Sequence, residues 1–501
     1  MREFHSVEEY STASAIKILP RLRRARQSPN AHHLPATTLP RVSLRHELIA
    51  VVGSANVLTD PELVAGYIVD WTGRWHGTAT MVVRPETTAE VAAVVERCRD
   101  LSAVIVPQGG NTGLVGGAVP APTMGPPVVV LSLRRLNAVE PVDLMAAQVT
   151  VGAGVTLAQL HDNLSRARTG LEFAVDMASR GSATIGGMIA TNAGGIHVVR
   201  HGGMRAQVSG LEAVLADGSV ISRLDGLVKD NTGYDLSQLI VGSEGTLGIV
   251  TRARLKLVPS LPARYTALLA LDDTQQAVDL ISEFRRSTAS LEAAEIFYPD
   301  GLALVQRHAG LAPPFPRSYG AYLLVECAGR DDAVLDDLAG LAESVGAEAA
   351  AVGLDGPSRQ RLWEYRERHT EAVNALGVPH KLDVTLPLSH LAQFETDVRA
   401  VVAALEPSAT VIIWGHVGDG NLHVNVVGPD AADDSIDDAV LRLVAQFGGS
   451  ISAEHGIGRA KIAWLPLTRS PAEVAAMTAI KLGLDPARML NPGVIISSYL
   501  T

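Results

Sequence analysis

From Met81 onward, short apolar runs alternate with amphipathic stretches. Met81–Val83 is predicted as a strand, and Thr88–Asp100, with apolar residues at helical spacing behind a Thr cap, as a helix. Strands are predicted over Ala103–Pro107, Val128–Leu133 and Ala147–Val151, with a helix over Thr156–Ser165. Leu211–Leu215 and Val220–Ile221 flank Ala216-Asp217-Gly218 and predict a hairpin. Thr246–Val258 closes this region as a long β segment, and Pro259 and Pro262 mark a boundary. Beyond it the pattern predicts strands Tyr265–Leu271, Glu295–Phe297 and Tyr322–Glu326, with helices Thr274–Arg286 and Asp331–Val345. That order points to an α+β layer on a mainly antiparallel sheet. A polar helix over Ser358–Leu376 follows, then strands near Val384–Leu386 and Thr410–Trp414 and the segment His416–Val427. Helix Pro471–Leu482 and the stretch Asn491–Tyr499 end the chain.

Residues 1–46 show no apolar periodicity and read as a poorly ordered basic arm; a targeting role fits badly with Glu3, Glu8 and Glu9 among its arginines. The arm holds eight of the Lys and Arg against three Glu, so the rest of this 501-residue chain carries a net −16 out of −11 overall. An acidic body argues against a nucleic-acid partner. The longest uncharged run, Leu101–Leu133, is broken throughout by Gly and Pro and predicts no membrane span. Two cysteines, Cys98 and Cys327, exclude a disulfide framework and a Cys-based metal site, and suggest a reducing, cytoplasmic setting.

Gly is abundant and clustered. The loop Pro107-Gln-Gly-Gly-Asn-Thr-Gly-Leu-Val-Gly-Gly117 can turn several N–H groups inward to cradle an anion, yet it is neither a Walker loop nor a GxGxxG fingerprint. A second loop runs from Asp176 through Gly181-Ser182-Ala183-Thr184 to Gly187, and a third joins Asn231–Asp235 to Gly242–Gly248. Three such segments in one region favour a dinucleotide site. In the second half, Asp419-Gly420 within Trp414-Gly-His-Val-Gly-Asp-Gly-Asn-Leu-His-Val-Asn-Val426 predicts a two-residue hairpin turn. That register makes His416 and His423 direct cross-strand partners on one face, with Asn425 beside them, an arrangement suited to a divalent metal. Glu454 and His455, adjacent in a Gly-flanked stretch, offer a carboxylate and a second imidazole. Arg366 and Thr370 fall at i and i+4 of the polar helix, and Lys381 enters a strand.

The strings PQGGNTGLVGG, GSATIGGMIATNAGG, GLEAVLADG and IVGSEGTLGIVT resemble the FAD-binding domain of the vanillyl-alcohol oxidase/p-cresol methylhydroxylase flavoproteins. GHVGDGNLHVN, AEHGIG, RERHTEA and the ending LNPG are similar to a narrower group, the FAD-dependent D-2-hydroxyacid dehydrogenases, over roughly residues 47–497. The resemblance implies an α+β chain with a two-subdomain FAD-binding domain of the p-cresol methylhydroxylase type over 47–258. A substrate- and metal-binding cap domain with an antiparallel sheet would span 259–460, and 461–501 would pack back on the FAD domain.

It further implies FAD contacts from Pro107, Gly109, Gly110, Asn111, Thr112, Gly113, Gly181, Ser182, Thr184, Gly187, Thr191, Asn192, Gly195, Ile249 and Asn491. Members that tether FAD covalently often use a His in the first loop, which has none here, so FAD is expected to be non-covalent. The implied metal ligands, for zinc or another divalent ion, are His416, His423 and Glu454. His455 falls on the catalytic base, and Arg366, Thr370, Lys381 and Asn425 on substrate-binding positions. Two cations and a metal suit an anionic dicarboxylate, so oxidation of D-2-hydroxyglutarate to 2-oxoglutarate is the expectation, with D-lactate or glycolate as the alternative inside the group. Outside it stand a zinc hydrolase with structural Gly loops and a non-catalytic flavin-binding subunit. The electron acceptor and the oligomeric state, a homodimer included, are left open.

Overall fold

A computed structural model describes residues 43–122, 125–430 and 432–497. The arm up to residue 42 and the last four positions of the chain lie outside the described residues. The stretch assigned to the arm extends too far, because Ser43 caps a helix, Leu44–Val52, that buries Leu48 and Val52. The first half then forms two four-stranded sheets and a two-stranded pair, Leu171–Glu172 with Val258–Pro259. Strands Val57–Leu58, Met81–Val83, Val128–Ser132 and Val104–Gln108 lie side by side in that order, parallel except at the first pair. The other sheet is antiparallel, in the order Gln148–Gly152, Ile249–Lys256, Val208–Val214, Val220–Ser222, and its last pair is the predicted hairpin. The helix Thr88–Asp100 buries Val91, Val94, Val95 and Cys98 into the core of this half, its end capped by Thr87. Met489 and Leu490, from the far end of the chain, complete the same core, and Ile105 pairs with Leu490.

The second half is built on one seven-stranded antiparallel sheet. Its order is Ala350–Gly353, Ala263–Leu271, Ala321–Gly329, Leu291–Phe297, Thr410–His416, Asn421–Val427 and His380–Thr385. Helices Thr274–Ser287, Val334–Val345, Leu391–Leu405 and Ser435–Gln446 cover one face. Helices Pro299–Ala309, Gly356–Glu367 and His369–Asn374 cover part of the other. Strand alternation explains why that second face changes character toward the edge. In Asn421–Val427, residues Leu422, Val424 and Val426 enter the helix-covered core, so Asn421, His423 and Asn425 face the other way. In His380–Thr385, Leu382 and Val384 do the same and turn Lys381 and Asp383 outward. The last two strands therefore present a polar strip at that edge of the sheet. The architecture is α+β: a first half of small sheets with flanking helices and a second half built as a cap on an antiparallel sheet.

Two local expectations change. The polar helix over Ser358–Leu376 is two helices, interrupted at Arg368, where His369 turns inward against Phe297 and Trp414 with ring centres 5.3 and 5.1 Å away. The histidine hairpin turns over four residues, Val417–Gly420, so His416 faces Asn421 and Trp414 faces His423. Tertiary packing sets this loop length. Gly420, at φ +79°, lies against the backbone of Leu386, where an added Cβ would come within 2.3 Å of the carbonyl oxygen, and Arg285 donates to the Gly418 carbonyl. Because the register moves by two, His416 and His423 stay on one face, as diagonal neighbours rather than direct partners.

No helix among the described residues is long and apolar enough to cross a membrane.

Candidate active site

One cavity of about 690 Å3 joins the glycine loops of the first half to the polar strip of the second. The first loop meets the second at close quarters. A Cβ on Gly110 would lie 1.8 Å from the Ser182 carbonyl oxygen, and one on Gly109 would lie 2.1 Å from the Thr184 hydroxyl. These two glycines let the loops touch. Gly113 and Gly181 differ: a Cβ on either meets nothing within 4 Å, and both line the cavity. Asn111, at φ +57°, donates its amide to the Val69 carbonyl, while its own Oδ1 and the Thr184 hydroxyl are buried without a partner. Unpaired buried polar atoms on a concave, Gly-rich wall fit a polar cofactor that would complete their bonding. Pro107, Thr112, Ser182, Gly187, Thr191, Gly195 and Ile249 also line the cavity. Asn192 and Asn491 do not. Asn192 caps a short helix and accepts from the Arg205 N–H, and Asn491 donates to the Gly117 and Glu244 carbonyls.

At the other end, His416 Nε2 lies 3.4 Å from His423 Nε2 and 3.6 Å from Glu454 Oε1. Two nitrogens bound to one tetrahedral zinc at the usual Zn–N length would sit roughly 3.3–3.4 Å apart. Facing acceptor nitrogens at that spacing need a cation or a proton between them, so the donor set fits a divalent metal. Each imidazole is oriented from behind by a buried carboxylate. His416 Nδ1 donates to Glu295 at 2.5 Å, and His423 Nδ1 lies 3.4 Å from Asp383. Such partners leave Nε2 as the free acceptor, the arrangement metal-binding histidines use. Glu454 also accepts the Gly195 N–H at 3.0 Å, tying it to the cofactor half.

Burial would raise the Glu295 carboxyl, but His416 and Arg366 outweigh it and hold it below its usual value. Burial lowers His416, and Glu295 reverses the sign, lifting the imidazole to about 9. His455 goes the other way: burial holds it below its usual value against the opposing pull of Asp383, so the neutral ring is favoured.

Arg366, Thr370, Lys381 and Asn425 all line the cavity, although Arg366 and Thr370 sit on separate helices. Arg366 gives its Nε to Glu295 at 2.7 Å, and Lys381 places its ammonium 5.1 Å from the ring centre of Trp71. Three functional-site residues escaped the sequence reading. Glu295, one of two acids with Glu292 in the otherwise apolar strand Leu291–Phe297, carried a signal as a buried charge that must be paired. Asp383 carried one as the strand neighbour of Lys381 on the same face. Glu244, in the Gly242–Gly248 loop, carried none beyond being an acid among glycines.

Residues 79–223 match the FAD binding domain family, and residues 261–495 match the C-terminal domain of FAD linked oxidases. D-2-hydroxyglutarate dehydrogenase of Xanthomonas citri pv. viticola is 39% identical over 464 residues, 89% of this chain and 96% of the relative. The mitochondrial D-2-hydroxyglutarate dehydrogenase of Danio rerio is 36% identical over 448 residues, 87% of this chain and 82% of its own. Among solved structures, p-cresol methylhydroxylase with substrate bound superposes with a TM-score of 0.69 at 17% identity, covering 91% of this chain and 96% of that one. At that identity the likeness speaks to the fold alone. Sequence likeness across nearly the whole chain joins the two halves described above, and the chain belongs to the FAD-linked D-2-hydroxyacid dehydrogenases of the vanillyl-alcohol oxidase/p-cresol methylhydroxylase flavoprotein family.

Proposed function

We propose that this FAD-dependent dehydrogenase oxidises D-2-hydroxyglutarate to 2-oxoglutarate, with FAD held non-covalently and a divalent ion, zinc in the first instance, at His416, His423 and Glu454. The observation that carries the substrate is the meeting of that triad, His455 and two cations, Arg366 and Lys381, in one cavity. When bound, FAD supplies the two-electron acceptor and the metal a Lewis acid for the hydroxyl and carboxylate oxygens. His455 takes the hydroxyl proton. Its Nδ1 faces Asp383 at 3.7 Å, which leaves Nε2 as the basic atom. Arg366, already oriented by Glu295, and Lys381 hold carboxylate, and Thr370 and Asn425 add neutral donors. A monocarboxylate such as D-lactate leaves Lys381 without an anionic partner in a partly dry site, which disfavours it. An electron acceptor from outside the chain completes the cycle.

Anaerobic mixing with a panel of D- and L-2-hydroxyacids tests this reading. D-2-hydroxyglutarate is expected to bleach the flavin at concentrations about 10²-fold below those needed for D-lactate. Protein stripped of metal by chelation is expected to keep its flavin absorbance, lose reduction and regain it with zinc. Equal bleaching by D-lactate removes the substrate assignment, and reduction that survives full metal removal removes the metal.

A further inference from the structure

Glu454 and His455 sit on a segment, Ser452–Gly458, that has no helix or strand to hold it. Residues that must be placed to a fraction of an ångström are seldom left on an unsupported loop. Here the support is visible in where the backbone N–H groups go. Asp383 Oδ2 accepts from Ala453, Glu454 and His455 at 3.1, 2.7 and 2.9 Å. Glu244, from the opposite half, accepts from Ile457 at Oε1 and from Gly458 at Oε2, each at 2.8 Å. Both carboxylates are buried, at 1% and 8% exposure. Bonds to a buried carboxylate are strong and in a dry site define position sharply. Against the cost of burial, His455 and His423 hold Asp383 well below its usual value, while burial pushes Glu244 up to about 7. Between the two anchors the chain turns at Gly456, φ +85°, where a Cβ would lie 2.7 Å from Glu244 Oε1. Lys461, buried behind the loop, donates to the carbonyls of Asp383 and Ile451 and ties the rear of the segment down.

We propose that Asp383 and Glu244 are paired positioning residues that suspend the 453–458 loop between the cap sheet and the cofactor-lining loop, so that both halves of the protein jointly set where Glu454 and His455 stand. This rests on the reading of Glu454 as metal ligand and His455 as base. Glu244 is the informative member, because it lines the cavity beside Ser243 and Gly245 yet touches neither a proposed ligand nor the substrate-binding cations. Asp383 also faces the rings of His423 and His455, so its loss disturbs more than the loop backbone.

The test uses the FAD-loaded full chain with Glu244→Gln and Asp383→Asn. In the first variant a carboxamide N–H₂ is set against a backbone N–H, and one anchor is lost. Both variants are expected to retain stoichiometric FAD. Zinc dissociation constants should rise about 10-fold or more, in the range seen when residues supporting a metal ligand are removed. Flavin reduction at saturating substrate should slow about 10- to 100-fold with KM nearly unchanged, because Arg366 and Lys381 are untouched. Amide exchange over 452–458 should quicken in both, and the double variant should fall short of the product of the singles. Glu244→Gln protein that keeps its zinc affinity and reduction rate within twofold overturns the proposal, as does a loss confined to melting temperature. Zinc affinity and amide exchange are read without substrate, so they stand if the hydroxyacid reading fails. Amide exchange and flavin reduction decide if the protein takes up no zinc. If Asp383→Asn does not fold, Glu244→Gln alone decides.

Discussion

The two ends of the cavity are built in opposite ways. At the glycine-loop end, where FAD is proposed to sit, the wall is mostly backbone: glycines, small hydroxyl residues and one asparagine in a left-handed conformation, with few titratable groups. At the proposed substrate end the wall is almost all side chain, with three histidines, the carboxylates of Asp383 and Glu454, an arginine and a lysine on or beside the polar strip of one sheet. Backbone recognition needs close approach and small residues nearby in sequence. Side-chain chemistry instead needs orientation, and here that comes from carboxylates far away in the chain: Glu295 behind His416 and Arg366, and Asp383 behind His423 and the Glu454–His455 loop. One end tolerates little added bulk; the other tolerates little change in charge.

That contrast can be broken most sharply at His455. His455→Ala is expected to lower the flavin-reduction rate by about 10²- to 10⁴-fold while FAD content stays unchanged, as measured by anaerobic stopped flow. Loss of FAD along with activity would instead mean that the two ends are not separable.

The glycine end is sharpened by a pair of variants. Gly110→Ala places its methyl against the Ser182 carbonyl and should cost about 1–3 kcal/mol of stability, read by denaturant unfolding of the FAD-free protein. Gly113→Ala meets open space, so its stability should stay within about 0.5 kcal/mol of the parent while FAD affinity falls. Equal destabilisation by both would show that the division of these glycines into loop-packing and cavity-lining is wrong.

The mildest effect concerns Lys381. Burial lowers its pKa from 10.5 to about 8, with Asp70 opposing. Below that value the side chain is a cation and above it is neutral, so KM for the dicarboxylate should climb as pH passes through about 8, approaching about 10-fold per unit. KM for D-lactate should stay flat, and Lys381→Arg should move the rise to higher pH. A pH-independent KM for the dicarboxylate would take Lys381 out of substrate binding.

Much of this was legible in the chain. The helix Thr88–Asp100, the hairpin at Ala216-Asp217-Gly218 and the strands of the second sheet are set by local periodicity and turn chemistry, and they lie where those signals put them. His416, His423, Glu454, His455, Arg366, Thr370, Lys381 and Asn425, the positions the resemblance implied, line one cavity in the structure. Less legible was whatever depends on contacts distant in sequence. The hairpin register was off by two because Gly418 and Gly420 are held by Arg285 and Leu386, not by the turn itself. The single helix over 358–376 breaks because His369 finds an aromatic pocket made by residues 297 and 414. Asn192 and Asn491 belong to the glycine motifs by position, yet their side chains serve backbone groups.

The sequence by itself determined the periodic elements and the glycine loops, and its motifs carry the candidate residues, because each of these is written in residues close together along the chain. Only the tertiary structure decided which carboxylates stand behind that chemistry. Glu244, Glu295 and Asp383 lie well over a hundred residues, or at least seventy, from most of the groups they orient, and no local pattern marks the pairing. A buried charge has to be matched by whatever donors the fold brings to it, and that match exists only once the two halves have closed on the same loop.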